Sequence, residues 1–318
     1  MNRVVAAALA PFVSRRGWAK GVRFGAGAAA IGWWAWARRP RPSPLAGKTA
    51  LVTGGSRGLG LLIAHELASR GCRVALLARD PNELQRAVRS LRDEGFEALP
   101  LACDVADPKQ IERALSEMVE HFGSIDVLVN DAGIIQVAPL DALTRADFEQ
   151  AMAINFWGTV NVTLTALRYM RPRGDGWIAN VTSIGGKVAV PHLLPYACAK
   201  FAAVGFSEGL RAELAGTGIK VTTIVPGLMR TGGEAHAVFK GQQRYERAWF
   251  SIAAETPGLA MSARRAARKI VHAIERGKAE IVVGVPAKIL RLTKELLPNP
   301  TLAALAVADR ILPAAHRD

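Results

Sequence analysis

Cysteine, histidine and tyrosine are scarce in this chain of 318 residues, and each scarcity limits the kinds of functional site that the sequence can form. The three cysteines, Cys72, Cys103 and Cys198, lie in predicted strands or in a predicted helix. They offer no disulfide framework, and a reducing compartment fits them. The six histidines show no metal-ligand spacing, so the sequence predicts no metal site. Only three tyrosines are present, which makes each one easy to weigh as a catalytic group.

Acidic residues are missing from the start of the chain, where the first one is Glu66. Residues 1–48 contain nine Lys or Arg, whereas the remainder accounts for only +5 of the net charge of +14. The basicity therefore belongs to an N-terminal segment, 1–45, and not to the rest of the protein. We expect no nucleic-acid partner for the main domain.

Charge is also absent from residues 24–37, which lie between Arg23 and a basic, proline-rich run at 38–44. Fourteen residues span about 21 Å as a helix, short of the ~30 Å hydrocarbon core. Three tryptophans, Trp33, Trp34 and Trp36, lie beside the basic cluster, an arrangement typical of a membrane interface. We favour a membrane anchor or interfacial helix with a cytoplasmic catalytic domain. A targeting presequence, a packed or disordered segment, and a purely cytoplasmic protein remain alternatives.

Short apolar runs alternate with amphipathic helical patterns from residue 46 to 285. This alternation predicts a Rossmann-type α/β domain, with a doubly wound parallel sheet covered by helices on both faces. A helical C-terminal tail, 286–318, follows. Strands are predicted at 49–52, 73–78, 98–103, 125–129, 177–181, 220–225 and 280–285, and helices at 59–70, 81–94, 108–122, 144–171, 196–215 and 263–276.

A glycine-rich turn follows the first predicted strand and reads Thr53-Gly54-Gly55-Ser56-Arg57-Gly58-Leu59-Gly60. Such a turn between strand and helix suits a dinucleotide, because side-chain-free backbone and a positive helix N-terminus meet the pyrophosphate. Taken alone, the motif would be a tight turn as readily as a cofactor site. The strand–turn–helix context favours the cofactor site.

A second motif, Tyr196-Ala197-Cys198-Ala199-Lys200, places a phenol and an ammonium on one helix face. Neither of the other tyrosines has lysine four residues later. A nearby ammonium lowers the pKa of a phenol, so we expect Tyr196 to act as general acid/base. Ser183 can hold the substrate oxygen near it. Alone, each of these residues would be a solvated helix or turn residue.

Together these motifs resemble the short-chain dehydrogenase/reductase family, in its single-domain branch. Two further segments match in order, Asn130-Asp131-Ala132-Gly133 and Pro226-Gly227-Leu228-Met229-Arg230-Thr231. The resemblance implies the catalytic set Asn155, Ser183, Tyr196 and Lys200. Lys200 would also bind the nicotinamide ribose, and Asn155 would order a water. Asp131 replaces the second Asn of the family's usual Asn-Asn-Ala-Gly.

The resemblance also implies the residues that bind the nicotinamide cofactor. Arg57 in the turn and Arg79 after the second strand suit a 2′-phosphate, so NADP(H) is favoured over NAD(H). Asp80 complicates that choice. The implied cofactor-binding set is Thr53, Gly54, Ser56, Arg57, Gly58, Leu59, Gly60, Arg79, Asp104, Val105, Asn130, Ala132, Gly133, Tyr196, Lys200, Pro226, Gly227 and Thr231.

The segment between Thr231 and Ser262 is where the family covers its substrate, and here it is rich in aromatic and aliphatic residues. Residues 188–194 add an apolar approach to Tyr196. These residues predict a steroid-, retinoid- or lipid-like carbonyl or alcohol, although they would also suit ordinary packing. The amphipathic tail can complete the substrate pocket, lie on a membrane or form a subunit contact. Asn299 and Pro300 are expected to begin its second helix.

The sequence therefore predicts an NADP(H)-dependent oxidoreductase acting on a hydrophobic carbonyl or alcohol, in a homo-oligomer. Two other classes remain: a cofactor-binding sensor without turnover, and a membrane-interaction protein with an incidental enzyme domain. The intact Ser, Tyr and Lys set argues against the sensor. Nucleotide-sugar epimerases or dehydratases use a different glycine spacing and a larger C-terminal domain.

Overall fold

The computed structural model describes residues 43–230, 232–256 and 258–314. The predicted membrane segment, 24–37, and the predicted cofactor residue Thr231 lie outside these ranges. The first described residues already belong to the domain. Leu45 is fully buried, and the Ser43 hydroxyl donates to Glu275 over 2.6 Å.

Seven parallel strands form the central sheet in the order β3-β2-β1-β4-β5-β6-β7. Their long apolar runs are buried on both faces, as a helix-covered parallel sheet requires. This sheet confirms the predicted Rossmann-type fold. The strands are β1 (Thr49–Thr53), β2 (Arg73–Ala78), β3 (Ala98–Ala102), β4 (Val127–Asn130), β5 (Gly176–Val181), β6 (Ile219–Pro226) and β7 (Glu280–Val283).

Helices cover both faces of the sheet and divide the core into two apolar clusters. One cluster holds Leu67 of α1, Leu84 of α2 and Ile270 of α8. The other holds Ile111 of α3 and residues of α5 and α6. The helices are α1 (Gly58–Ala68), α2 (Pro81–Asp93), α3 (Pro108–Phe122), α4 (Arg145–Met152), α5 (Gly158–Met170), α6 (Leu194–Glu213), α7 (Gln243–Glu255), α8 (Ala263–Glu275), α9 (Val285–Leu296) and α10 (Pro298–Asp309).

The helical stretch predicted at 144–171 is interrupted. A π-helical turn, Ala153–Trp157, separates α4 from α5. At the start of α5, a Cβ on Gly158 would lie 2.8 Å from the Val105 side chain, so glycine lets the helix approach the loop after β3. π-Helical turns often occur at functional sites, and this one contains Asn155.

Two short strand pairs, separate from the central sheet, hold the segment predicted to cover the substrate. Gln136–Val137 pairs with Val238–Phe239, and Met229–Arg230 pairs with Met261–Ser262. Between them lies α7, which the periodicity did not reveal. This segment therefore lies over the carboxyl ends of the strands.

The C-terminal tail forms two helices that continue directly from β7. Ala287 of α9 is buried, and Arg291 pairs with Glu280 of β7 and Glu295. Helix α10 begins at Pro298, one residue before the expected cap Asn299, because Pro298 supplies the fixed φ of a first helical residue. Across residues 43–230, 232–256 and 258–314, no helix is long and apolar enough to cross a membrane.

Candidate functional site

A cavity of about 1230 Å³ lies at the carboxyl ends of the strands. It opens between β1 and β4, where the strand order reverses, which is the place where doubly wound sheets bind ligands. The glycine turn, the residues after β4 and β5, and α6 line one part of it, which we call the cofactor half. The other part, the substrate half, is lined by Val190, Leu193, His236, Ala237, Trp249, Phe250, Ala253, Ala254 and Leu290.

The glycine turn has the geometry of an anion cradle. Gly54 has a φ of 66°, and a Cβ on Gly60 would lie only 2.4 Å from the Gly54 carbonyl oxygen. Both positions therefore require glycine. Helix α1 begins at Gly58, and no side chain caps its first turn. Because Gly58 lines the cavity, the positive end of the helix dipole faces the cavity. Gly54, Ser56, Arg57, Gly58 and Leu59 line the cavity as expected.

Two predicted cofactor residues support the cavity without lining it. The Thr53 hydroxyl accepts the backbone N–H groups of Asp131 and Ala132, at 3.0 and 3.1 Å. The Asn130 side chain is buried and donates to Thr163 at 2.9 Å and to Asn180 at 2.8 Å. These contacts fix the loop after β4, whose Ala132 and Gly133 do line the cavity. Gly60 lies behind the turn and also falls outside the lining.

All four predicted catalytic residues line the cofactor half. The Ser183 and Tyr196 side chains meet beside Gly185, where a Cβ would lie 3.4 Å from Ser183 Oγ and 3.2 Å from Tyr196 Cε1. Lys200 lies one turn further along α6, with its Nζ 5.7 Å from the Tyr196 ring centroid. It donates to the Val181 carbonyl at 3.0 Å, which directs the ammonium toward the end of β5.

Asn155, the fourth member, holds the loop that follows β4. Its Oδ1 accepts the Ile134 N–H at 3.0 Å, and its Nδ2 donates to the Ile134 carbonyl at 3.1 Å. The residue is fully buried and lies in the π-helical turn. A Cβ on Gly133 would lie 2.6 Å from its Oδ1 and 3.7 Å from Lys200 Nζ, so Asn155 and Lys200 flank the same backbone.

The expected lowering of the Tyr196 pKa is wrong for this structure. Burial raises the pKa of Tyr196 to about 12, and the Ser183 hydrogen bond offsets only part of this rise. The Asp131 charge adds to it. At neutral pH the phenol is therefore protonated and ready to donate.

Asp131, where the family pattern has Asn, lies within electrostatic reach of the catalytic pair. Burial raises its pKa to about 7, while Lys200 and the Gly60 backbone N–H favour the charged form. Burial also lowers the pKa of Lys200 to about 8, and Asp131 opposes that shift. The sequence marked this position only as a local departure, yet the carboxyl group lines the cavity.

The two arginines expected at a 2′-phosphate have different surroundings. Arg57 pairs with Glu83, which also accepts from Ser56 at 3.3 Å. Arg79 is exposed, lines the cavity and has no ion-pair partner within the described ranges. Asp80 caps α2 by accepting the N–H groups of Asn82 and Glu83, at 2.8 and 3.1 Å. These backbone hydrogen bonds lower the pKa of Asp80 and are both accepted by its Oδ1, and Asp80 also lines the cavity.

The other predicted cofactor residues lie at the rim of the same half. Val105 lines the cavity, whereas Asp104 does not: its carboxylate accepts the Ala106 N–H at 2.9 Å. Pro226 and Gly227 line the far side after β6. A Cβ on Gly227 would lie 2.8 Å from that of Ala287, so glycine lets α9 approach this loop.

The substrate half is apolar, and sequence patterns identified only part of it. Within the segment predicted to cover the substrate, Trp249 and Phe250 do face the cavity. Ile252 and Leu259 are exposed instead. Leu290 of the tail reaches the cavity, in agreement with the expectation that the tail can complete the pocket. The described residues contain no cluster of His, Cys, Asp and Glu that could hold a metal ion.

Comparison with known proteins places this site in a family. A family model described as short chain dehydrogenase matches residues 48–239. The Drosophila melanogaster protein named dehydrogenase/reductase SDR family protein 7-like is 33% identical over 261 residues, covering 80% of this chain and 78% of that protein. The chain belongs to the short-chain dehydrogenase/reductase family.

Solved structures share the fold and contain either nicotinamide cofactor. A variant of actinorhodin polyketide ketoreductase with NADPH is 33% identical with a TM-score of 0.67, covering 75% of this chain and 95% of that one. An NAD⁺-bound xylitol dehydrogenase is 25% identical with a TM-score of 0.68, covering 76% and 98%. The fold alone therefore does not select the cofactor.

Proposed function

We propose that this protein is an NADP(H)-dependent oxidoreductase that interconverts a hydrophobic carbonyl compound and its alcohol. The placement of Ser183 and Tyr196 beside each other in one cavity, with Lys200 one helical turn away, carries the proposal. This set lies in the same cavity as the glycine turn, between an anion cradle and an apolar pocket. A sensor without turnover would have no need of it.

The residues present fit a dinucleotide. Gly54, Ser56 and Gly58 would hold the pyrophosphate at the N-terminus of α1, and Lys200 would hold the nicotinamide ribose. Arg79, together with Arg57, favours the 2′-phosphate of NADP(H), and Oδ1 of the neighbouring Asp80 already caps α2. The NADPH of the ketoreductase relative supports this choice.

Catalysis by this chain is proton transfer at one atom. When bound, the nicotinamide supplies or accepts the hydride at the substrate carbon. In reduction, Tyr196 gives its phenolic proton to the carbonyl oxygen, and Ser183 holds that oxygen within reach. The raised pKa of Tyr196, about 12, keeps the donor protonated at neutral pH. In oxidation, the phenolate takes the alcohol proton, and the Lys200 ammonium stabilises it.

The substrate class is proposed from the lining of the substrate half. Leu193, Trp249, Phe250 and Leu290 present apolar surface to the same cavity as the catalytic group. Such a pocket favours a steroid-, retinoid- or lipid-like compound, because burial of its apolar area stabilises the complex.

The test is NADPH oxidation by the purified protein against a panel of carbonyl compounds graded from small and polar to large and apolar. We expect turnover with a kcat/KM that rises along the apolar series. We also expect kcat/KM at least tenfold higher with NADPH than with NADH, about 1.4 kcal/mol. Cofactor binding without turnover of any compound would support the sensor instead. Best activity on small polar substrates would contradict the substrate class.

Membrane association is proposed from the sequence of residues 24–37 with its flanking arginines. The full-length protein should sediment with membranes at low salt, and a chain beginning just before Ser43 should be soluble and active. Carbonate washing separates a spanning segment from a surface-bound helix. Recovery of the full-length chain in the supernatant at low salt would refute association.

A homo-oligomer is proposed from apolar side chains left exposed on neighbouring helices. Trp157 precedes α5, Leu164 lies on it, and Phe201 lies on α6. Burial of these side chains in a second copy would stabilise the assembly. Light scattering of the chain beginning near Ser43 tests this, and a monomer at micromolar concentration would refute it.

A further inference from the structure

His192 has a backbone conformation that L side chains rarely adopt. It is the single non-glycine residue with a positive φ, 62°, within residues 43–230, 232–256 and 258–314. It lies four residues before Tyr196, and the next residue, Leu193, lines the substrate half. Such strain persists only where the surrounding structure enforces it, so the contacts of His192 call for an explanation.

Those contacts lead to the wall of the cavity. The His192 Nδ1 lies 2.9 Å from both carboxylate oxygens of Glu246 on α7, and both residues are buried. The Trp249 indole Nε1–H donates to the same carboxylate at 2.6 Å. Trp249 lines the substrate half, and its ring lies edge-on to the imidazole, with 6.2 Å between centroids.

His192 also contacts the C-terminal tail. The His192 Nε2 lies 3.6 Å from Asp309 at the end of α10, within ion-pair range. A second contact with the tail comes from Gln242, which precedes α7 and donates to the Ala314 carbonyl at 2.9 Å. The loop before α6, helix α7 and the end of α10 are therefore joined around one imidazole ring.

The burial of Glu246 requires hydrogen-bond donors around its carboxylate. The Glu246 side chain is fully inaccessible, so its carboxylate is costly unless hydrogen-bond donors satisfy it. His192 and Trp249 are donors to this carboxylate, and the His192 carbonyl accepts the Ala138 N–H at 2.8 Å, which anchors the strained residue. The orientation of the indole thus depends on the imidazole through Glu246.

We propose that His192 is a positioning residue for substrate: through Glu246 it fixes the Trp249 indole as a rigid wall of the substrate half. The ligand class that this wall suits is an extended, flat apolar carbonyl compound, which can lie against the indole face. The inference rests on the proposed function for its substrate, but the positioning itself is a property of the protein alone.

The first experiment needs no substrate. Hydrogen exchange of the Trp249 indole N–H is followed by ¹⁵N NMR, with its signal identified by Trp249→Phe. His192→Gly accepts the positive φ but removes the ring, and we expect at least tenfold faster indole exchange. His192→Asn tolerates the same φ and retains a short donor, so its exchange should stay closer to that of the unaltered protein. Unchanged exchange in His192→Gly would overturn the proposal.

The second experiment separates positioning from simple loss of structure. His192→Gly should raise KM about tenfold for a large apolar ketone, while kcat and the NADPH dissociation constant change less than about twofold. A small ketone, which does not reach the indole, should show no such rise. The control is His272→Gln on the outer face of α8, which should leave every value unchanged.

The outcomes of the second experiment distinguish a positioning role of His192 from a merely structural one. Equal losses for small and large ketones, or loss of NADPH binding, would show a merely structural role and would overturn the proposal. If the unaltered protein reduces no ketone, the proposed function fails, and the exchange measurement alone decides the positioning. Retention of KM for the large ketone in a folded His192→Gly variant would also refute it.

Discussion

The two halves of the cavity are built in different ways. In the cofactor half, the key groups follow directly from strand ends that lie side by side in the sheet register, where Thr53 faces Asn130 and Asn130 faces Asn180. In the substrate half, residues from the loop before α6, from α7 and from α9 meet only through tertiary contacts. Local chain geometry fixes the first half, whereas long-range side-chain contacts fix the second.

This difference determines what each half can specify. A backbone cradle at the N-terminus of α1 accepts any dinucleotide, and only side chains at its rim, such as Arg79, select the phosphate. The substrate wall includes Trp249, which donates to the buried Glu246 carboxylate, and Leu290 of the tail. Changes in the cofactor half should therefore act on the chemistry or cofactor, and changes in the substrate half on substrate binding.

Removal of the catalytic proton should have the largest effect. Tyr196→Phe keeps the ring and removes the hydroxyl that hydrogen-bonds Ser183. We expect kcat to fall about 10³-fold, within the range typical of general acid–base catalysis. Binding of NADPH, followed by its fluorescence, should be largely retained because the glycine turn is untouched.

The matched control is Tyr169→Phe. That hydroxyl lies 3.4 Å from Ser116 of α3 and does not line the cavity, so its loss should leave kcat unchanged. Substantial residual activity in Tyr196→Phe would remove the catalytic assignment, and with it the contrast between the two halves.

The sequence could predict the cofactor half because its motifs are local. The glycine turn, the Asn130 loop and the Tyr196–Lys200 pair each occupy one short segment with a recognisable pattern. The substrate half offered no such pattern: the pairing of His192 with Glu246 spans 54 residues, and the positive φ of His192 has no sequence signal. The Tyr196 pKa was missed because desolvation depends on the whole fold.

Gly227→Ala should weaken the contact between the two halves. The new Cβ would lie 2.8 Å from that of Ala287, which has no flexible side chain to move aside, so α9 must shift. We expect the free energy of unfolding in urea to fall by about 1–3 kcal/mol, as for other overpacked sites. KM for the substrate should rise, since Leu290 on the same helix lines the cavity.

Gly209→Ala on α6 is the control, and it should raise the free energy of unfolding rather than lower it. A Cβ there meets no atom within 4 Å, so alanine should stabilise the helix by about 0.5–1 kcal/mol. Equal stability of Gly227→Ala and Gly209→Ala would show that α9 does not pack tightly against the loop after β6.

Asp131→Asn should change how stability depends on pH. Burial raises the pKa of Asp131 from 3.8 to about 7, so the folded protein keeps a proton that the unfolded chain releases between these values. The unaltered protein therefore loses stability as the pH rises through this window, whereas Asn cannot ionise. From pH 5 to 7 the variant should gain roughly 2 kcal/mol relative to the unaltered protein in urea unfolding. The surface variant Asp93→Asn should keep the original slope, and parallel pH profiles for Asp131→Asn would contradict the assignment.

Arg79→Asp should have the smallest effect, since it changes only the choice of cofactor at the rim. Arg79 is exposed and has no ion-pair partner in the described ranges, so its replacement should not destabilise the fold. We expect the preference for NADPH over NADH, measured as a ratio of kcat/KM, to shrink about tenfold, or 1.4 kcal/mol. The reason is that a carboxylate repels a 2′-phosphate and accepts hydrogen bonds from the ribose hydroxyls of NADH. The control is Arg89→Asp. Arg89 is exposed on α2 and does not line the cavity, so its replacement should leave the ratio of kcat/KM values unchanged. A ratio unaffected by Arg79→Asp would move phosphate recognition to Arg57, with Glu83 as its competitor, because that ion pair would then have to open for NADPH to bind.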